Sequence, residues 1–284
     1  MIVIEIPNGR LGNGLFRYLA TLLFRIVYGI DKTQRFLFHE QNRILSSGGP
    51  KPQIIKLRDD DFISWCKTLT TKNIPQLGDK ILCIFDGYFQ VDDYKLYRAQ
   101  IINYMKSHPE EMIFGTNLKH QLIQNTVGQI MFPSSNVKKY KIVVHVRLED
   151  FLIHNNVIHP NTLHGILTEL KNNYPKTPIC IISNELTKDI ERTYMNYFCD
   201  RFPIICESND VITDFHIMRE AEVLVCSLST LSWCAALLSE NIKTAYVPKN
   251  KTSAHQLYLR PIENTVVYDN IYCGEKELID FFAR

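Results

Sequence analysis

The stretch that decides the fold is DFHIMREAEVLVCSLSTLSWCAALLS, Asp214 to Ser239. Within it Glu222 to Cys226 is a short β-branched, apolar run that reads as a buried strand. Leu231 to Leu238 is too apolar to face water and reads as a buried helix. Between them lie Ser227, Ser229 and Thr230. The first turn of a helix carries unpaired N–H groups and the positive end of the helix dipole, so hydroxyls at that turn suit a phosphate. Ser229 or Thr230 acting only as an N-cap is the competing reading.

Working outward, the same alternation of strand and helix recurs. Toward the amino terminus the pattern predicts strands at 142–146, 178–183 and 203–206, with helices at 161–173, 187–199 and 212–221. Beyond the opening stretch a strand at 243–247 and a last strand and helix near 265–283 follow. The first half reads as a strand at 2–6, a helix at 15–28 and strands at 35–39 and 80–85. Helical runs follow at 92–106 and 110–130. The segment 40–80 is weakly patterned. Such alternation forces parallel crossover units, so the fold class is α/β, and ligands of these sheets sit at the carboxyl ends of strands. At 284 residues the chain is long enough for two domains. The polar segment FPSSNVKK, Phe132 to Lys139, is the expected linker, giving domains 1–137 and 138–284.

Composition excludes several classes. With 45% hydrophobic and 22% charged residues the chain is ordinary globular protein, and its net charge of +2 displays no basic patch for nucleic acid. The eight cysteines form no CxxC pair and no metal spacing. Several sit in apolar runs, which points to buried free thiols and a reducing compartment. MIVIEI runs directly into a glycine turn without a leader pattern, and there is no apolar span of 18 residues, so a soluble, cytoplasmic protein is expected.

Three further motifs carry chemistry. His145-Val-Arg147-Leu-Glu149-Asp150 stands where the strand KIVVHV runs out. Arg147 there offers either a fork of donors to a phosphate or one half of an ion pair with Glu149 or Asp150. The turn Gly9 to Gly14 invites a dinucleotide reading but has the order GxxGxG, and the acid for a ribose could only be Glu40. FDGYFQ, Phe85 to Gln90, ends a strand with polar residues that have no structural need, and reads as a cleft lining. Asp59 to Asp61 lacks a convincing strand before it and reads as a solvated loop rather than as a metal-binding acidic motif.

Taken in order, GRLGNGLFRYLA, DGYFQVDDY, HVRLED and DFHIMREAEVLVCSLSTLSWCAALLS resemble the α-1,2-fucosyltransferases of glycosyltransferase family 11. The resemblance implies a GT-B-like fold of two Rossmann-like domains, the second holding the sugar nucleotide and the first serving the acceptor side. It also implies inverting, metal-independent transfer of fucose from GDP-fucose to a sugar hydroxyl, with no cofactor. His145, Arg147, Asp214, Ser229 and Thr230 would serve the donor, with Asn13 and Gly12 beside them. Arg147 and Asp150 would be catalytic, Asp150 as the first-ranked base. Asp86, Tyr88, Gln90 and His39 would lie on the acceptor side. The expected partners are a nucleotide sugar and a glycan acceptor, with peripheral membrane contact left open. The chain departs from the family pattern at Leu148, where a second arginine is usual, at Glu149, and at Leu231 and Cys234. Another donor such as GDP-rhamnose and a catalytically silent binding module therefore stay open, and an NAD-dependent oxidoreductase stays open on the glycine turn and Glu40 alone.

Overall fold

The computed structural model describes residues 2–5, 9–30, 34–37, 53–70, 81–87, 89–117, 121–249, 260–269 and 271–283. It divides into two compact units, Met1–Met131 and Phe132–Arg284.

In the first unit the elements run β1 (Ile2–Glu5), α1 (Leu11–Tyr28), β2 (Gln34–Leu37), β3 (Gln53–Arg58), α2 (Asp59–Thr70) and β4 (Ile81–Asp86). A 3-10 turn (Asp92–Tyr97) leads into α3 (Arg98–Ser107), the hairpin β5 (Met112–Thr116) and β6 (Leu122–Thr126), and α4 (Val127–Met131). The first four strands form a parallel sheet in the order β2-β1-β4-β3. Helix α1 is buried from Leu11 to Arg25 apart from half-buried Asn13, so it is apolar nearly all round, as a core helix must be. It ends at Gly29, whose φ of +61° is the left-handed cap that glycine adopts without strain.

Several polar groups buried along α1 find partners. Arg17 Nη2 donates to the Phe114 carbonyl at 3.1 Å. Glu111 accepts from Arg25 Nη1 at 3.0 Å and from the hydroxyls of Tyr18 and Tyr104, each at 2.7 Å. Burial pushes the Glu111 carboxyl up, but these donors outweigh it and hold it below the ordinary carboxylate range. An aromatic cluster closes the other side, with Phe24 stacked on Trp65 at 4.0 Å and Trp65 Nε1 donating to the Tyr28 hydroxyl at 2.8 Å.

The second unit continues with β7 (Ile142–Val146), α5 (Glu149–Ile153), β8 (Val157–Ile158), α6 (Pro160–Asn173), β9 (Ile179–Ser183) and α7 (Asp189–Cys199). Then come β10 (Ile204–Glu207), α8 (Val211–Glu220), β11 (Val223–Val225), α9 (Thr230–Leu238), β12 (Thr244–Pro248), β13 (Thr265–Tyr268), β14 (Tyr272–Cys273) and α10 (Glu275–Phe282). Six parallel strands pair in the order β10-β9-β7-β11-β12-β13. Numbered within this unit's sheet that order is 3-2-1-4-5-6, the Rossmann arrangement, and the direction of winding reverses between β7 and β11. All residues of β7, β9 and β11 are buried, as expected for central strands covered on both faces.

The α/β class with parallel sheets in both halves is thus what the structure has, while several local expectations need correction. Residues 110–130 are not one helical run but the hairpin β5–β6 followed by the short α4. Residues 92–106 begin as a 3-10 turn and become α-helical only at Arg98. Asp59 to Asp61 are not a loop: they open α2 directly after strand β3. Three carboxylates suit that place because the helix dipole favours negative charge in a first turn. Helix α1 starts at Leu11 rather than Leu15.

Candidate functional site

The reversal point between β7 and β11 is where a doubly wound sheet opens a crevice at its carboxyl edge. The two strands pair from Ile142↔Val223 to Val144↔Val225, so the residues that follow each strand emerge side by side. His145 Nδ1 and Ser227 Oγ are hydrogen-bonded at 2.8 Å, joining the end of β7 to the loop after β11. Burial, aided by the Arg147 charge, pushes the His145 imidazole down to about 3, so it is neutral at physiological pH and adds no cation.

Arg147 follows the strand and forks onto Asp150: Nε donates to Oδ1 at 3.1 Å and Nη2 to Oδ2 at 2.7 Å. Its guanidinium carbon stands 4.5 Å from the centre of the Phe151 ring, which fixes the plane of the group further. The ion-pair alternative for Arg147 is therefore realised, with Asp150 as the partner. The loop between them is held from a neighbouring strand end, because the Leu148 N–H donates to Asn184 Oδ1 at 2.9 Å. Glu149 adopts a φ of +25°, a conformation that favours glycine, and the turn is kept there by its anchored ends. Leu148 is fully buried in the core of the second unit, packed in one cluster with Val144, Phe151 and Leu152. That explains why an apolar residue occupies a place where the family pattern has arginine.

On the other loop Ser229 is the N-cap of α9, its Oγ accepting from the Leu231 N–H at 3.3 Å. Ser232 adds a bond from its hydroxyl to the Ser229 carbonyl at 3.0 Å. The N-cap reading of Ser229 is therefore met, while Thr230 opens the helix half-exposed beside it. The loop is pinned from below: the Tyr268 hydroxyl donates to the Cys226 carbonyl at 2.7 Å, and the Cys226 N–H to the Tyr246 carbonyl at 2.8 Å. A loop held in this way needs no reorganisation when charge arrives.

Asp214 lies in the first turn of α8, which crosses back over the sheet and packs against β7. Its Oδ1 accepts from the Asn209 N–H at 3.2 Å and from Asn209 Nδ2 at 3.0 Å. Burial, reinforced by Asp210 and Glu207 and opposed by Asn209, pushes the carboxyl up to about 7. The folded protein therefore prefers the protonated form, and this site loses stability as pH rises from the ordinary value of 3.8 through about 7. Asp214→Asn is expected to raise stability at pH 8 by roughly 1–2 kcal/mol, after allowing for solvent screening, with the gain shrinking as pH falls toward 5. Urea denaturation across that range checks it; a difference independent of pH would mean the carboxyl is ionised throughout.

The sequence-derived residues of the first unit stand as follows. Gly12 and Asn13 sit in the first turn of α1, with the Asn13 N–H bonded to the Arg10 carbonyl at 3.0 Å. Gly9, with φ +78°, lies under the Asn13 amide and has no room for a Cβ. Asp86 is the last residue of β4, and Gln90 is half-buried. Tyr88, His39 and Glu40 lie outside the described residues. One contributor escaped the sequence reading of the site, Asn184, while Ser227 was read as one of the turn's hydroxyls but not as the partner of His145. Asn184 directly follows β9, so the rule that ligands gather at strand ends could have found it. Among the described residues no three His, Cys, Asp or Glu side chains are grouped to hold a metal, and no helix is long and apolar enough to cross a membrane.

No protein-family model matches the chain, and no curated protein matches it. Solved structures give remote likenesses. An E. coli heptosyltransferase WaaC with ADP is 9% identical, with a TM-score of 0.48, over 100% of this chain and 99% of that one. POFUT1 in complex with GDP is 12% identical, with a TM-score of 0.43, over 87% and 97%. A UDP-GlcNAc 2-epimerase from Neisseria meningitidis bound to UDP-GlcNAc is 11% identical, with a TM-score of 0.39, over 100% and 90%. Likenesses this remote lend no weight to an activity, which has to be argued from the chain's own residues.

Proposed function

We propose that the chain is a glycosyltransferase that moves fucose from GDP-fucose to a sugar hydroxyl, with inversion, without a metal, and with an α-1,2 linkage. The observation that carries this reading is the His145–Ser227 bond at the reversal point of a 3-2-1-4-5-6 sheet, which ties the end of β7, two residues before Arg147, to the loop that runs from Ser227 to Thr230. The donor sugar and linkage rest on the four ordered motifs that resemble family 11.

Cleaving a nucleotide sugar leaves a diphosphate with growing negative charge and a sugar with oxocarbenium character. Arg147, the first-turn N–H groups of α9 and the Thr230 hydroxyl are the groups assigned to that leaving charge, acting as preorganised donors. Ser227 and Ser229 hold the loop in place. Asp150 engages both of its oxygens with Arg147, which suits it to aiming the guanidinium. For Asp150 to accept the acceptor's proton that pair must open. Asp214, Gly12 and Asn13 remain assigned to the donor, and Asp86, Tyr88, Gln90 and His39 to the acceptor side.

The test is calorimetric titration with GDP, UDP, ADP and NAD, followed by donor-hydrolysis assays with GDP-fucose, GDP-mannose, GDP-rhamnose and UDP-sugars. GDP is expected to bind in preference to the others, and GDP-fucose to be turned over equally well with and without EDTA. Turnover of a different donor reassigns the sugar, and GDP binding without turnover of any donor identifies a silent binding module. Preference for NAD over GDP overturns the transferase reading. Activity lost to EDTA and restored by magnesium overturns metal independence.

A further inference from the structure

Two cysteines break the pattern of buried thiols expected for this chain. Cys66, Cys180, Cys226, Cys234 and Cys273 are buried, but Cys199 and Cys206 are exposed, and their Sγ atoms lie 3.3 Å apart. They come from different elements: Cys199 is the last residue of α7 and Cys206 lies on β10, the edge strand of the six-stranded sheet.

The chain between them is a tight, bonded return. The N–H groups of Arg201 and Phe202 donate to the Phe198 carbonyl at 3.1 and 2.9 Å, and the Asp200 N–H donates to Asn196 at 2.9 Å. Phe198 is fully buried in the core, and the Pro203 carbonyl accepts from the Ile179 N–H at 3.4 Å, so both ends of the return are anchored. The two sulfurs are thus held facing one another by the fold. A disulfide needs them at about 2.05 Å, a closure within reach of small side-chain rotations.

We propose that Cys199 and Cys206 form a redox-active dithiol, an oxidation site closed to an intramolecular disulfide by a peroxide. The Cys199 sulfur attacks one peroxide oxygen, the O–O bond breaks and water leaves, giving a sulfenic acid. The Cys206 sulfur then attacks the oxidised sulfur, the S–S bond forms, the S–O bond breaks and a second water leaves. The two thiols supply the two electrons and the two protons that turn peroxide into water. The order of attack follows from the surroundings of Cys206, whose thiol is pushed up to about 12 by burial, by the Cys199 sulfur and by Glu207. The bridge would tie α7 to the edge strand one residue before Glu207, which accepts from Lys138 at 2.7 Å and from the Tyr140 hydroxyl at 2.5 Å. This inference does not depend on the proposed transferase activity.

The experiment exposes the full chain, and the variants C199S and C206S, to hydrogen peroxide. The remaining thiols are then alkylated and the intact mass and peptide map recorded, with circular dichroism to verify the native fold. The wild type is expected to lose two alkylatable thiols, to yield the peptides carrying Cys199 and Cys206 as one linked species, and to recover both thiols on reduction. C206S is expected to accumulate sulfenic or sulfinic acid at Cys199 and form no intramolecular link. Full alkylation of both sulfurs in peroxide-treated, folded wild type overturns the proposal. So does a link that joins Cys206 to Cys180 instead.

Discussion

Arg147→Ala is expected to lower donor turnover by about 100- to 1000-fold, the loss typical when one preorganised donor to a leaving charge is removed. The protein should stay folded, because the carboxylate that Arg147 leaves behind is one-third exposed and water can solvate it. Arg147→Lys separates charge from geometry. A lysine keeps the positive charge but cannot fork onto Asp150 or lie flat over Phe151, so most of the rate should still be lost. Steady-state kinetics with GDP-fucose, alongside GDP affinity by calorimetry, are the measurements. Near-normal turnover in the alanine variant would sink the assignment of Arg147 to the diphosphate.

The second large effect is expected in the first unit. A Cβ at Gly14 would lie 2.3 Å from the carbonyl oxygen of Phe114, a backbone atom that cannot swing aside. The same carbonyl accepts from buried Arg17, so pushing β5 away from α1 also strains that bond. Gly14→Ala is therefore expected to destabilise the first unit by about 2–4 kcal/mol, as overpacking against a rigid neighbour does. Gly29→Ala is a fitting control. Nothing crowds that position, and its φ of +61° should cost only about 1 kcal/mol. Urea denaturation and hydrogen exchange of residues 11–28 report both. Equal losses would show that the contact at Gly14 is looser than its geometry implies.

These glycines also explain how much of the molecule was legible beforehand. In the second unit the strand runs at 142–146 and 178–183 are unbroken apolar segments between clear turns, and they form where their composition says. In the first unit Gly12, Asn13 and Gly14 belong to the opening turn of α1, but weak helix formers conceal a helix start whose stability comes from packing rather than propensity. The hairpin β5–β6 was hidden for a related reason. Its outer strand has three exposed residues in succession and no clean alternation, and Gly115 is there because the α1 backbone passes within about 3.3 Å of where its Cβ would stand. Around the candidate site, strand ends and hydroxyls were readable. The His145–Ser227 bond and the Asn184 anchor were not, since they join residues 82 and 36 positions apart.

The burial of Leu148 bears on how this loop can be remodelled. Position 148 belongs to the apolar interior, so an arginine placed there would have to bring its charge into the same cluster as Val144 and Phe151, at the expense of the fold. Position 149 is partly exposed and already in a conformation that side chains tolerate poorly. Replacing Glu149 alters the exposed side of the turn while the packing beneath is left intact. The turn is therefore open to remodelling at residue 149 and closed to it at residue 148, which the core it fills holds apolar.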